Sequence, residues 1–139
     1  MDSRRSGAGF RPWAGAALGL ICLVYLVGAL FDPPFMRPLM KLSCHRIPRR
    51  SLVFPWGTAG QCARCTGFWV GALAVAVVML FRRVPGSMRL GLLLTVPMIA
   101  DGFLQYAGLY ESTNPARLAT GFLAGAGLGV LLGRASDPA

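Results

Sequence analysis

The chain is 139 residues long, 55% hydrophobic and only 14% charged, with 18 glycines. Its mean hydropathy of +0.57 excludes an ordinary soluble domain, which needs more polar cover at this size. Fourteen Lys and Arg against five acids give a net charge of +9, but the basic residues stand in short runs between apolar segments. That pattern marks membrane-flanking loops rather than a nucleic-acid footprint, so no nucleic-acid partner is expected.

In chain order, the first apolar run is Trp13 to Phe31, "WAGAALGLICLVYLVGALF". At ~1.5 Å per residue it is long enough to cross a hydrocarbon core of about 30 Å. It exceeds the usual apolar core of a signal peptide and "FDPP" follows it without a small-x-small site, so a retained helix is expected. Cys22, inside this run, reads as a small apolar thiol.

Residues 32–65 form the one substantial polar loop, in which "PFMRPLMKL" suggests a short interfacial piece. Further helices are predicted over 66–81, 90–110 and 118–133. The fold class expected is therefore all-α, a membrane bundle of four transmembrane helices forming one domain over 1–139. Glycines repeat every four residues at Gly15 and Gly19, Gly67 and Gly71, and Gly121, Gly125 and Gly129. Such ladders clear a helix face for close backbone approach in lipid.

The loop also collects Cys44, Cys62, Cys65 and the only histidine, His45. Three cysteines outside the first helix make an odd number, which favours metal or redox chemistry over static crosslinks. Cys62-Ala-Arg-Cys65 has the spacing to hold one soft metal, and Cys44 with His45 completes a candidate set of three thiolates and one imidazole. The adjacency of Cys44 and His45 requires a sharp turn if both are to be ligands. The expected ion is zinc, with iron as the other candidate. The same cysteines suit thiol–disulfide exchange, because a helix N-terminus and Arg64 both favour a thiolate.

Connectivity places the end of the third helix and the start of the fourth on the same side as these cysteines. Asp101 lies inside an apolar segment, where an acid costs about 2.5–3.5 kcal/mol and so faces a cavity or a partner. Measured from Tyr110 it stands roughly 13 Å into the helix. Gln105 shares its face. "STNPAR" reads as a turn and helix start, with Asn114 or Ser112 as the cap and Pro115 in the first turn. A helix N-terminus with Arg117 is also suited to an anion, and Arg46, Arg50, Asn114 and Thr120 are candidates to share it. Asp101, Gln105 and Arg117 are the candidate catalytic residues, Asp101 as base or proton relay and Arg117 as anion clamp. The expected partners are the lipid bilayer and an anionic lipid or small phosphate-bearing ligand; an oligomer is compatible with the sequence.

The motifs "CHRIPRRS", "CARCTGFWVG", "DGFLQ" and "STNPARLATG" resemble, in the same order, those of the small bacterial and archaeal membrane proteins grouped as domain of unknown function 2085. The resemblance runs from about Cys44 to Gly121, and Phe68-Trp69 stands where an aliphatic residue followed by Tyr is expected. It implies an integral membrane protein whose motif residues include Cys44, His45, Arg50, Cys62, Arg64, Cys65, Asp101, Gln105, Asn114, Arg117 and Thr120. It does not choose between metal and redox chemistry.

Three functions follow as expectations: a metal-binding membrane protein with an adjoining polar pocket, a quinone-linked thiol–disulfide oxidoreductase, or a non-enzymatic subunit or lipid-binding scaffold. The site is expected on a prokaryotic cytoplasmic membrane protein with both termini inside. Arg4, Arg5, Arg11, Arg82, Arg83, Arg89 and Arg134 would then be inside, balancing seven basic residues outside.

Overall fold

The computed structural model describes residues 6–82, 84 and 87–135, with side chains from residue 12 onward. Arg4, Arg5, Arg83, Pro85, Gly86 and residues 136–139 lie outside the described residues, as does the side chain of Arg11.

Helix α1 spans Ser6–Phe31 and tolerates Pro12 in its N-terminal part. A 3-10 turn, Pro34–Met36, leads into the short helix α2, Arg37–Ser43. A second 3-10 turn, Pro48–Arg50, enters a two-stranded antiparallel hairpin, β1 Ser51–Phe54 and β2 Gly57–Cys62. Helix α3 is Ala63–Phe81, α4 is Met88–Tyr106 and α5 is Asn114–Ala135. The expectation of an all-α chain is thus amended by one small sheet, set in the segment read as a loop.

Three of the described helices are long and apolar enough to cross a membrane: Pro12–Phe31, Ala63–Phe81 and Asn114–Ala135. Helix α4 has the same 19 residues as α3, but Arg89, Asp101 and Gln105 dilute its apolar character, and it is not among the three. Many large apolar side chains point outward, Leu20, Phe31, Phe81, Leu93, Ile99 and Phe103 among them, while most buried positions of the long helices are Ala, Gly or Cys, with Leu18, Met79 and Val130 the larger apolar residues among them. Cys22 is fully buried beside Leu18, Ala72 and Ala76. An exterior more apolar than the interior is what lipid selects, because helices in hydrocarbon associate by close packing rather than by hiding apolar surface.

The helices lie in the order α1–α3–α5–α4: α3 packs on α1 and α5, and α4 packs on α5. The α3–α5 seam is built from glycine on both sides. Gly67 and Gly71 face the backbone of Leu118 and Phe122, while Gly121 and Gly125 face the backbone of Arg64 and Phe68. Any Cβ at these four positions would collide with main chain, so the close approach requires glycine. Helices α3 and α4, by contrast, meet chiefly through one side chain, Arg64.

The start of α5 departs from expectation in one detail. Thr113, rather than Asn114 or Ser112, caps it, its Oγ1 accepting the Ala116 N–H at 3.4 Å. Helix α4 stops at Tyr106, four residues before the predicted end, because Gly108 takes a left-handed φ of +70° and turns the chain back.

Candidate metal centre

Cys62 ends β2 and Cys65 sits in the first turn of α3, so the strand-to-helix junction presents both thiols together, with Sγ atoms 3.4 Å apart. Cys44 follows α2 directly and is returned to the same point by the hairpin, whose register pairs Ser51 with Cys62. All three sulfurs lie within 4.8 Å of one another. Ligands held ~2.3 Å from a tetrahedral zinc stand about 3.8 Å apart. The cluster brackets that spacing, and its donor set suits a thiophilic divalent ion.

The cluster favours one anionic sulfur, that of Cys44. The Cys62 and Cys65 thiols converge on Cys44, and the backbone N–H groups of Cys62 (3.3 Å) and Arg46 (3.4 Å) donate to its Sγ, drawing the Cys44 thiol down to about 2. The Cys62 thiol is pushed above its ordinary range, first by its hydrogen bond with Cys44. The Cys44 turn is itself pinned. Arg46 has a left-handed φ of +53°, and its guanidinium bonds to Asp32, which has a φ of +44° at the end of α1. Gly60 leaves room for that carboxylate: a Cβ there would stand 2.8 Å from Asp32 Oδ1.

Beside the sulfurs opens a cavity of about 350 Å³, lined from the loop by His45, Arg46 and Arg50, from α3 by Arg64, from α4 by Met98 and Gln105, and from α5 by Arg117. His45 is exposed on this rim and is not part of the close sulfur cluster. Asn114 and Thr120 turn elsewhere. Asn114 Oδ1 accepts from Arg117 at 3.1 Å and its Nδ2 donates to the Ser51 carbonyl, while the Thr120 hydroxyl returns to the Ala116 carbonyl at 2.9 Å.

Asp101 is buried and takes hydrogen bonds from Arg64 and from the Tyr110 hydroxyl. With α4 ending at Tyr106 it stands five residues from the helix end, or ~7–8 Å, shallower than the distance counted from Tyr110. Gln105, one turn on, also accepts from Arg64 at 3.3 Å. Sequence reasoning missed the Tyr110 contact. Nine residues apart, Asp101 and Tyr110 lie on opposite faces of a continuous helix, and only the Gly108 turn brings them together. It also set Arg64 beside the thiolates without assigning it to Asp101, whereas the side chain bridges α3 to α4.

Residues 44–131 match the family described as "Predicted membrane protein", domain of unknown function 2085. An uncharacterised protein of Methanothermobacter thermautotrophicus is 40% identical over 91 residues, covering 63% of this chain and 82% of that protein. An uncharacterised protein of Methanocaldococcus jannaschii is 36% identical over 91 residues, covering 61% of this chain and 58% of the relative. No solved structure matches.

Proposed function

The chain belongs to the family of predicted membrane proteins grouped as domain of unknown function 2085, and from that premise we propose that it binds one zinc or iron ion beside a pocket for an anionic or phosphate-bearing ligand. Cys44, Cys62 and Cys65 are the protein ligands. The observation that carries this reading is the convergence of three sulfurs within 4.8 Å at the edge of an arginine-lined cavity. In a closed site His45, next to Cys44, turns inward as fourth ligand; in an open site the cavity supplies it. Arg117 is the anion clamp, with Arg46 and Arg50 adding positive charge. Asp101, steadied by Tyr110 and linked to the cavity through Arg64, is the base or proton relay. Helix α4 is the fourth span, its exposed apolar face turned to lipid, in a prokaryotic cytoplasmic membrane with both termini inside.

A second reading has its own support. Cys62 and Cys65, 3.4 Å apart, are close enough to form a disulfide on oxidation, passing two electrons and two protons to a quinone in the bilayer, with Cys44 as the resolving thiolate.

Elemental analysis of the purified protein in mild detergent, with a thiol count on the same sample, separates the two. About one zinc or iron per chain, lost in a Cys62→Ser/Cys65→Ser variant, is expected from the metal site. Absence of metal, with two thiols protected until reductant is added, overturns it in favour of redox chemistry.

A further inference from the structure

The polar atoms left without partners around the cavity are all of one kind. Arg117 is 4% exposed; one terminal nitrogen donates to Asn114, while its Nε and other terminal nitrogen meet no acceptor. Arg64 Nε and Gln105 Nε2 are likewise buried without partners. These four nitrogens belong to three side chains, from α3, α4 and α5, that line the same cavity. Every one is an N–H donor, and among the described residues no buried acceptor of that cavity is left open. Donors without acceptors, on a buried guanidinium, are costly unless a ligand made of acceptors completes them.

The charges agree. Of the four cavity arginines, Arg46 pairs with Asp32 and Arg64 with Asp101. Arg50 and Arg117 have no carboxylate partner among the described residues. Even a divalent ion on three thiolates, negative by one, leaves the surroundings positive. The directions of approach narrow the ligand further. A planar carboxylate offers two oxygens in one plane, suited to a single guanidinium fork. Donors arriving from three helices suit a group with at least three acceptor oxygens pointing apart, and a phosphate monoester provides them.

We infer that Arg117, Arg64 and Gln105 form a receptor for a tetrahedral phosphate group, carried either by inorganic phosphate or by a lipid bearing a phosphate monoester. This rests on the anionic-ligand half of the reading above and narrows it. Asn114 positions Arg117 and does not touch the ligand. A second, more open cavity of about 390 Å³ shares Arg50, Arg64 and Gln105 and reaches Gly102 and Tyr106 on α4. The Arg64–Gln105 contact thus borders both cavities, on the side where α3 and α4 pack little against each other.

The test uses the full chain, metal-loaded and chelator-treated, in detergent with radiolabelled inorganic phosphate. A second arm uses neutral phosphatidylcholine nanodiscs doped with phosphatidic acid (a monoester) or phosphatidylglycerol (a diester). Wild type is expected to bind phosphate or phosphatidic acid, whichever is the source, and to discriminate against phosphatidylglycerol. Arg117→Met is expected to weaken binding roughly ten- to hundredfold, yet to melt no lower than wild type in phosphate-free buffer, since the one hydrogen bond lost, to Asn114, is offset by removing a buried charge that has no carboxylate partner among the described residues. Gln105→Leu removes the Nε2 donor and the acceptor of Arg64 but no charge, and its loss of phosphate binding serves the same purpose if Arg117→Met does not fold. Unchanged phosphate binding in Arg117→Met, or equal binding of the two lipids, overturns the phosphate receptor and leaves a general anion pocket standing. Binding seen only with metal and indifferent to Arg117 places the anion on the ion and also overturns it. No binding of phosphate or of either lipid sinks both readings.

Discussion

Gly121 faces the main chain of α3 at the residue that carries the α3–α4 bridge, so Gly121→Ala probes seam and site together. A Cβ at this position would stand 3.0 Å from both the Arg64 carbonyl carbon and the Phe68 nitrogen, with the Arg64 carbonyl oxygen closer still. Ordinary contact begins near 3.4 Å, so 3.4 less 3.0 gives at least 0.4 Å of separation for the first two atoms, and the oxygen demands more. Backbone on both sides cannot rotate away, so α3 and α5 must part. Overpacking of this kind costs about 1–3 kcal/mol, against which alanine returns at most about 1 kcal/mol of helix propensity. The variant should therefore melt below wild type in detergent, followed by circular dichroism, and lose phosphate affinity as Arg64 is displaced. Gly19→Ala is the internal control. Its Cβ would meet Ala76 Cβ at 3.8 Å, an ordinary contact, so it should be neutral or slightly stabilising. A Gly121→Ala protein that melts at or above Gly19→Ala would refute the account of the seam.

Three further outcomes are expected. Cys44→Ser should abolish stoichiometric zinc binding as completely as Cys62→Ser, because each removes one of three converging sulfurs; retention of one zinc per chain in either variant, by elemental analysis, would contradict the ligand set. Zinc affinity should fall as pH falls: the Cys62 thiol is held above its ordinary range and must release a proton to bind, whereas Cys44, drawn down to about 2, is already a thiolate at neutral pH. Competition titration with a chromogenic chelator reads this directly, and a pH-independent affinity would count against it. Asp101→Leu should destabilise by about 3–5 kcal/mol, because it leaves the Arg64 guanidinium unpaired. The double variant Arg64→Leu/Asp101→Leu should recover part of that loss, and a thermodynamic cycle showing strict additivity would mean that the pair does not act as one.

Much of this architecture is legible in the sequence, for physical reasons that differ between its parts. The four long helices show because apolar runs and glycine spacing are properties of single segments. The gathering of Cys44, Cys62 and Cys65 shows because the CxxC fixes two sulfurs locally and chain connectivity supplies the third. The hairpin does not show: its strands are short, and its turn is Pro55-Trp56 followed by Gly57 at a φ of +141°, not one of the usual Asn-Gly or Asp-Gly signals. Nor does the pairing of arginines. With several guanidiniums near two carboxylates, only tertiary geometry assigns Asp101 to Arg64 and Asp32 to Arg46, leaving Arg117 without one. Tyr110 escapes for a third reason, since its contact depends on a helix ending four residues early at a left-handed glycine.

The hairpin has a consequence for the order in which the protein is built. The three clustered cysteines lie within the stretch from Cys44 to Cys65, and the short β1–β2 ladder folds that stretch back on itself. Such local closure is entropically cheap and comes early. The Arg64 contacts to Asp101 and Gln105 span 37 and 41 residues, and Arg117 comes later still. As the chain emerges N-terminus first, the sulfur cluster is complete once α3 has begun, whereas the donors of the cavity wait for two more helices.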